Sequence, residues 1–163
     1  MRSKLLIKPL IWLVPLLPLS AFGLEIYPQV SSTIIEIKSE KAEVKKGDVL
    51  VRLDDRQAQL ELQYLKALQS IKQQDFDDKK LEFQQTQELY NRLVSSHRDL
   101  EIAQLAFDAA KRELEAHNLK IKIAQIELEK YTITSPISGT IQSLPNQRNA
   151  TNINAPKALM VIE

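Results

Sequence analysis

The side chains that could do chemistry are few and scattered in this 163-residue chain. It has two histidines, His97 and His117, and no cysteine, which excludes a thiolate metal site, a disulfide and a cysteine nucleophile. His117 falls in an apolar helical row, a pattern that favours a register-setting or partly solvated core histidine over a pH switch or metal ligand. His97 follows a break between two helices and is expected to be a solvated loop residue.

The acidic and hydroxyl side chains give no catalytic pattern either. Asp54 and Asp55 precede a long helix-forming segment, where acidic residues are typical because they interact favourably with the helix macrodipole. Ser135 and Ser138 have no histidine or aspartate in a triad-like context, so a nucleophilic serine is not expected. The sequence therefore predicts no catalytic residue and no metal site, and the chain is not expected to be an enzyme.

The charge balance argues against a nucleic-acid partner. The chain has 22 Lys and Arg against 21 Asp and Glu, but Arg2, Lys4 and Lys8 lie in the first 23 residues, which hold no acid. Without that segment, 19 basic residues stand against 21 acidic ones, a net charge of −2. A chain so close to neutral lacks the basic surface that nucleic-acid binding requires.

The first 23 residues have the features of an export signal. A basic start is followed by a leucine-rich stretch over residues 5–19, and Ala21 and Gly23 are small residues at the −3 and −1 positions. Lys8 and three prolines interrupt the apolar run, which favours a cleaved signal over a permanent span. An uncleaved membrane anchor remains the alternative, and in both cases the rest of the chain is expected outside the cytoplasm.

Strand-like segments flank a long helical region. Residues 24–54 alternate in the strand manner, with Val30, Ile35 and Ile37 in one stretch and a turn at residues 45–48. Two helices are predicted next, from about residue 55 to 93 and from 98 to 131, with a break at residues 94–97. Residues 132–163 return to strand-like runs broken by prolines and Gly139.

The second helix carries two apolar rows. The first repeats every seven residues over five a/d pairs and predicts a left-handed coiled coil. Its a positions form the hairpin seam: Leu100, Phe107, Leu114, Ile121 and Leu128. The second row is offset by two residues, about 200° around a helix, and so lies nearly opposite. It includes Ile102, Leu105, Leu119, Ile123 and Ile126. This face is expected to pack against another protein chain, with packing against the first helix as the alternative.

The first helix is less regular. One seam contains Leu62, Leu65, Phe76, Phe83, Tyr90 and Leu93, but its other positions are polar. Because the break is short, the two helices must run antiparallel, forming a rod of roughly 50–60 Å. Such a hairpin brings Asp54 and Thr132 together. The two flanking segments, each too small for a core of its own, could then share one.

Two motifs at the ends of this hairpin resemble a known family. Residues 44–54, VKKGDVLVRLD, and residues 131–141, YTITSPISGTI, resemble the two halves of a split biotinyl/lipoyl-type domain. With a coiled-coil hairpin between them, residues 26–163 resemble the HlyD-type membrane fusion proteins, the periplasmic adaptors of Gram-negative efflux and secretion systems. Ser32, Lys41 and Asn149 stand where that family usually has glycines, so rearranged turns are expected there.

The resemblance implies an α+β fold. A split biotinyl/lipoyl-like β barrel-sandwich, built from residues 24–54 and 132–163, would carry an inserted antiparallel α-helical coiled-coil hairpin at residues 55–131. Residues 1–23 would be the signal peptide or anchor. The lysine that carries lipoyl or biotin is replaced by Asp54-Asp55-Arg56, where the hairpin emerges, so no cofactor is expected. A carrier subunit of an enzyme is thus the least favoured function.

The resemblance also implies partners. Family adaptors link an inner-membrane transporter to an outer-membrane duct from the periplasm, and a homo-oligomer is expected here. An Arg-Leu-Ser pattern near the hairpin tip engages the duct; Leu89 and Ser96 match it, and Gln85 takes the Arg position. The expected duct contacts are Leu89, Arg92, Ser96 and Arg98.

The last expectation concerns the length of the chain. The family continues beyond the position of Glu163 into a β-barrel and a membrane-proximal domain that contact the transporter. A short adaptor is therefore expected, either truncated or with a partner that supplies these domains. The alternative function is a periplasmic coiled-coil scaffold that binds envelope proteins without forming a conduit.

Overall fold

Two long helices interrupt a set of short β-strands. The computed structural model describes residues 23–143, 152–153 and 157–163, so Asn149 and all of the predicted signal segment except Gly23 lie outside the described residues. The elements before the break are β1 (Leu24–Ile26), β2 (Ser32–Ile37), β3 (Glu43–Val44), β4 (Val49–Leu53) and α1 (Arg56–Asn91). Those after it are α2 (His97–Glu129), β5 (Thr132–Thr134), β6 (Gly139–Ser143), β7 (Asn152–Ile153) and β8 (Met160–Ile162).

Both β-sheets combine strands from the two sides of the hairpin. One sheet has the order β1-β8-β6-β3 and the other β5-β4-β2-β7, and all neighbouring strands are antiparallel. At the base of the helices, Arg52 lies opposite Thr132, and the backbone nitrogen of Leu53 donates to the carbonyl oxygen of Tyr131 at 2.9 Å. The predicted α+β fold, a helical hairpin inserted into a shared barrel-sandwich, is confirmed.

Both halves contribute to the apolar core. Among the residues that the structure describes, ten core side chains are buried, of which five precede α1 and five follow α2: Ile26, Val44, Leu50, Val51 and Leu53, then Ile133, Ile141, Leu159, Met160 and Ile162. Burying a side chain of this size stabilises the fold by roughly 1.5–3 kcal/mol. Separation of the halves would return these side chains to water, so the core forms only when the hairpin has closed.

Strand β2 departs from the predicted alternation. Its pairing with β4 shifts register between Ile34 and Glu36, which is a β-bulge. As a result Ile34 packs against the core, whereas Ile35 is 63% exposed and Ile37 is 38% exposed. Alternation alone predicts a strand here, but the bulge decides which side chains point inward.

The helix ends differ from the predicted ones by one or two residues. His97 is the first residue of α2, so its expected place in a loop is wrong; Ser96 caps the helix one residue earlier. At the other end α2 stops at Glu129 because the backbone of Tyr131 has already turned to pair with Leu53.

At three turn positions the backbone geometry determines how well a side chain is tolerated. Gly47 has φ +91°, a left-handed conformation that suits glycine. Gly139 lies so close to the chain end that a Cβ atom there would be 2.4 Å from the carbonyl oxygen of Glu163. Lys41, at a family glycine position, has φ +63°, and its backbone nitrogen donates to the carbonyl oxygen of Ile141 at 2.8 Å. The sheet contact therefore holds a lysine in a conformation that costs it energy.

We expect Lys41→Gly to raise the free energy of unfolding by about 0.5–1 kcal/mol, because glycine relieves the left-handed strain. Urea denaturation measures the change. Lys46→Gly is the matched control: Lys46 is also exposed but lies outside the left-handed region, so this change should be neutral or destabilising. A loss of stability in Lys41→Gly would contradict the expectation.

A carboxylate at the base of the hairpin fixes the start of α1. The Asp54 carboxylate accepts hydrogen bonds from the Arg56 guanidinium, at 2.9 Å from Nε and 2.6 Å from Nη2, and from the Arg56 backbone nitrogen at 3.2 Å. Asp55, at the N-cap position, makes no capping bond with its side chain and accepts from Gln59 Nε2 instead. The bonds from Arg56 lower the pKa of Asp54 from 3.8 to about 2.

Stability should therefore depend on pH through Asp54. Because its folded pKa is depressed, its contribution is present above pH 3.8 and is lost as the pH falls towards about 2. Asp54→Asn should lower the urea midpoint at pH 7 and flatten the decline of stability between pH 4 and pH 2. Asp55→Asn, which keeps the Arg56 contacts, should retain that decline. Identical pH profiles for wild type and Asp54→Asn would contradict this role.

Candidate interaction surfaces of the hairpin

The seam between α1 and α2 is only partly buried. Among the predicted seam residues Ile121 is buried, at 8% exposure, and the others are half-buried: Leu100, Phe107, Leu114 and Leu128. Ala103 and Ala110, at the intervening positions, are buried. The ring of Phe107 lies 5.6 Å from the rings of both Phe76 and Phe83. These aromatic rings fill the middle of the rod.

Polar contacts across the seam fix the register of the two helices. His117 is 7% exposed, and its Nε2 lies 2.8 Å from the carbonyl oxygen of Leu65. Because a carbonyl oxygen only accepts, Nε2 must carry the proton. Further out, Lys72 Nζ donates to Glu113 at 2.7 Å, which lowers the pKa of the Glu113 carboxyl. An axial slip of one helix would break both contacts.

The side of α2 opposite the seam is an exposed row, here called the outer row of α2. It consists of Arg98, Ile102, Leu105, Ala109, Arg112, Ala116, Leu119, Ile123 and Ile126. The five large apolar members, predicted as an inter-protomer face, are 55–61% exposed. More than half of the surface of each of these side chains remains in water in the single hairpin. The single chain thus leaves an apolar stripe along most of α2 uncovered.

Helix α1 carries a matching exposed row, here called the outer row of α1. It consists of Leu60, Tyr64, Ala67, Ile71, Gln74, Asp78, Leu81, Gln85 and Glu88. Its large apolar members are 53–66% exposed. The sequence alone indicates this row, because its members are offset by two residues from the α1 seam. The same offset defines the outer row of α2.

The tip presents two apolar side chains to solvent. Leu93 is 92% exposed and Val94 is 68% exposed. Leu93 has φ +60°; its backbone nitrogen donates to the carbonyl oxygen of Tyr90, and that of Val94 to Leu89, both at 2.9 Å. This is the Schellman pattern of a helix C-terminus, here with leucine at the position that favours glycine. The expectation that Leu93 lies on the seam is wrong, because this turn takes it off the helix.

A capping box on the other side of the turn begins α2. Ser96 Oγ accepts from the Asp99 backbone nitrogen at 3.2 Å, and the Asp99 carboxylate accepts from the Ser96 backbone nitrogen at 3.0 Å. The hydroxyl of Ser96 also donates to this carboxylate, and these hydrogen bonds lower the pKa of Asp99. Ser96, a predicted duct contact, thus has its hydroxyl engaged within the hairpin.

The other predicted duct contacts also lie at this end of the rod. Leu89 is 40% exposed, and both Arg92 and Arg98 are exposed. Together with Leu93 and Val94 they form an apolar tip flanked by two arginines.

The described residues hold no group of three or more His, Cys, Asp or Glu side chains that could bind a metal ion. Within the same ranges, neither helix is long and apolar enough to cross a membrane.

Ser96→Ala should lower the free energy of unfolding by about 1 kcal/mol, because it removes one half of the capping box. Urea denaturation followed by helical circular dichroism measures the loss. Ser95→Ala is the control, since the Ser95 hydroxyl lies 3.4 Å from Asp99 and does not cap the backbone. Equal effects of the two changes would show that the capping box contributes nothing.

Several solved structures share this fold. MacA from Actinobacillus actinomycetemcomitans is 26% identical, with a TM-score of 0.54 over 85% of this chain and 48% of that one. ZneB from Cupriavidus metallidurans is 22% identical, with a TM-score of 0.56 over 88% and 61% of the two chains. The membrane fusion protein Spr0693 from Streptococcus pneumoniae R6 is 14% identical, with a TM-score of 0.60 over 86% and 61%. The chain thus spans less than two thirds of the length of each.

The family itself is shown by a match that covers most of the chain. None of the curated proteins compared with the chain matches it. The model of the RND membrane fusion protein barrel-sandwich hybrid domain, however, matches residues 23–162, which include the strands on both sides and the whole hairpin. Proteins of this family are adaptors and not enzymes. The chain therefore belongs to the RND/HlyD-type membrane fusion proteins.

Proposed function

We propose that this chain is the periplasmic adaptor of a Gram-negative efflux or secretion system and links an inner-membrane transporter to an outer-membrane duct. The observation that carries the proposal is the rod: α1 has 36 residues and so extends about 50 Å from the β base. The rod ends in exposed apolar residues. The rod acts through its length, because it holds a binding tip at a distance from the β base.

The tip is the proposed contact with the duct. Leu93 and Val94 are its most exposed apolar residues, and docking would remove them from water. Leu89, Arg92 and Arg98 surround them and would add apolar and charged contacts. Ser96 is proposed to hold the tip in shape, because its side chain caps α2.

Export and assembly complete the proposal. Residues 1–23 direct the chain to the periplasm, residues 24–54 and 132–163 form the base, and residues 55–131 form the rod. Copies of the chain associate side by side through the outer row of α2. Five large apolar side chains more than half exposed support this role.

Crosslinking at the tip tests the proposal. A benzophenone amino acid at position 94, introduced in the bacterium that encodes the chain, should capture an outer-membrane channel on irradiation, identified by mass spectrometry. The same residue at position 46, exposed on the base, should not. Capture at position 94 of periplasmic proteins alone would contradict the conduit role and favour the scaffold function.

A further inference from the structure

Both β-sheets end at the same groove beside the base of the hairpin. In the sheet orders β1-β8-β6-β3 and β5-β4-β2-β7, β1 and β5 are outer strands, each with a neighbour on one side only among the described residues. Residues of both strands line a groove of about 430 Å³, and the C-terminal end of α2 also borders it. The structure therefore brings two outer strands together around one groove.

The backbone of β5 has unused hydrogen-bonding groups on its outer side. The carbonyl oxygen of Tyr131 and the nitrogen of Ser135 bond to backbone groups at or next to the two ends of β4, both at 2.9 Å. Backbone groups of successive residues in an antiparallel strand point to opposite sides. Those of Thr132 and Thr134 therefore face away from β4. Both threonines are exposed and line the groove.

Such an edge accepts a further strand. Thr132 and Thr134 each offer one nitrogen and one carbonyl oxygen, which an extended peptide matches in β-sheet pairing. Because β5 has only three residues, about 10 Å of strand, backbone bonds alone would hold a partner weakly. The side chains of the groove must supply the remaining affinity. Leu24 and Tyr27 contribute apolar surface, since they are 39% and 48% exposed.

The unpaired charges around this edge are negative. Glu25 and Glu129 line the groove, and Asp55 joins Glu129 in a second groove, of about 830 Å³, that also reaches β5. Among the described residues, no salt bridge engages these three carboxylates. Lys130, the basic residue of the two groove linings, is paired with Glu127 at 2.5 Å. A partner of complementary charge therefore carries lysine or arginine.

We infer that the outer edge of β5 binds an extended basic segment of a partner protein, which adds to the sheet as a further strand. Three features define this occupant: unblocked backbone groups, apolar side chains for the groove, and basic side chains for Glu25, Asp55 and Glu129. The site lies at the opposite end of the rod from the tip, about 50 Å away. It therefore goes beyond the proposed contact with the duct and does not depend on it.

A second copy of the chain is a less suitable occupant of this edge. Pairing β5 with β5 would gather the three carboxylates of both copies around one pair of strands. Like charges in close contact repel each other, whereas a basic segment neutralises them. The charge around the edge thus favours a different protein as the partner.

Synthetic peptides test the inference on the full chain, purified from the periplasm of a Gram-negative host. A short fluorescein-labelled peptide of alternating lysine and valine should bind saturably in fluorescence anisotropy. The same peptide with glutamate in place of lysine should bind about tenfold more weakly, because the carboxylates of the groove repel it. A lysine-valine peptide with every backbone nitrogen methylated should lose about as much, because it cannot donate to the edge of β5.

Variants of the chain separate the backbone contribution from the charge contribution. Thr134→Pro removes an outward backbone donor of β5 and should weaken binding of the lysine-valine peptide about tenfold. Thr134→Val keeps that donor and should bind as the wild type does. Combining Glu25→Gln with Glu129→Gln should also weaken binding about tenfold. The matched control is Glu115→Gln, an exposed position further along α2, which should have no effect.

Three results would overturn the inference: no binding of the lysine-valine peptide, equal binding of its glutamate analogue, or equal binding of its methylated analogue. All three are measured on the wild-type chain, so they hold even where a variant fails to fold. A fall in the oligomeric mass of Thr134→Pro by light scattering, without peptide binding, would assign the edge to a second copy instead. Capture at position 94 reports on the tip alone, so the proposed function is judged separately.

Discussion

Backbone pairing at the base of the hairpin is the interaction on which the rest of the structure depends. The hydrogen bond from Leu53 to Tyr131 and the alignment of Arg52 with Thr132 bring the two ends of the helical rod together. Within the described part of the chain, five buried core residues come from each side of that junction. Since neither segment has enough apolar surface for a core of its own, the base and the rod must form together.

A rod of two helices has a structural cost that a globular domain avoids. Each helix buries one stripe against its partner and leaves the opposite stripe in water, because no third layer covers it. In this chain both opposite stripes carry large exposed apolar side chains. The seam is also weak in places, with Lys72 and Gln69 at positions that a coiled coil normally fills with apolar residues. Association between copies would offset both deficits.

The tip shows how local geometry prepares a surface for binding. The Schellman turn at Leu93 and the capping box at Ser96 satisfy the free backbone groups at the two helix ends. Leu93 and Val94 are thereby held in one exposed arrangement. Binding to a surface that is already ordered loses less conformational entropy than binding to a flexible loop.

Sequence periodicity by itself determined the hairpin, because a seven-residue repeat sustained over five heptads of α2 is a property of one helix. The paired motifs at residues 44–54 and 131–141 likewise determined which segments share the base. The tertiary structure alone decided that Leu93 leaves the seam, that His97 begins a helix and that Ile35 points outward. Those outcomes depend on a positive φ angle, a cap and a bulge. They arise from local hydrogen bonds of backbone groups and of the capping side chains Ser96 and Asp99, and they leave no periodic trace in the sequence.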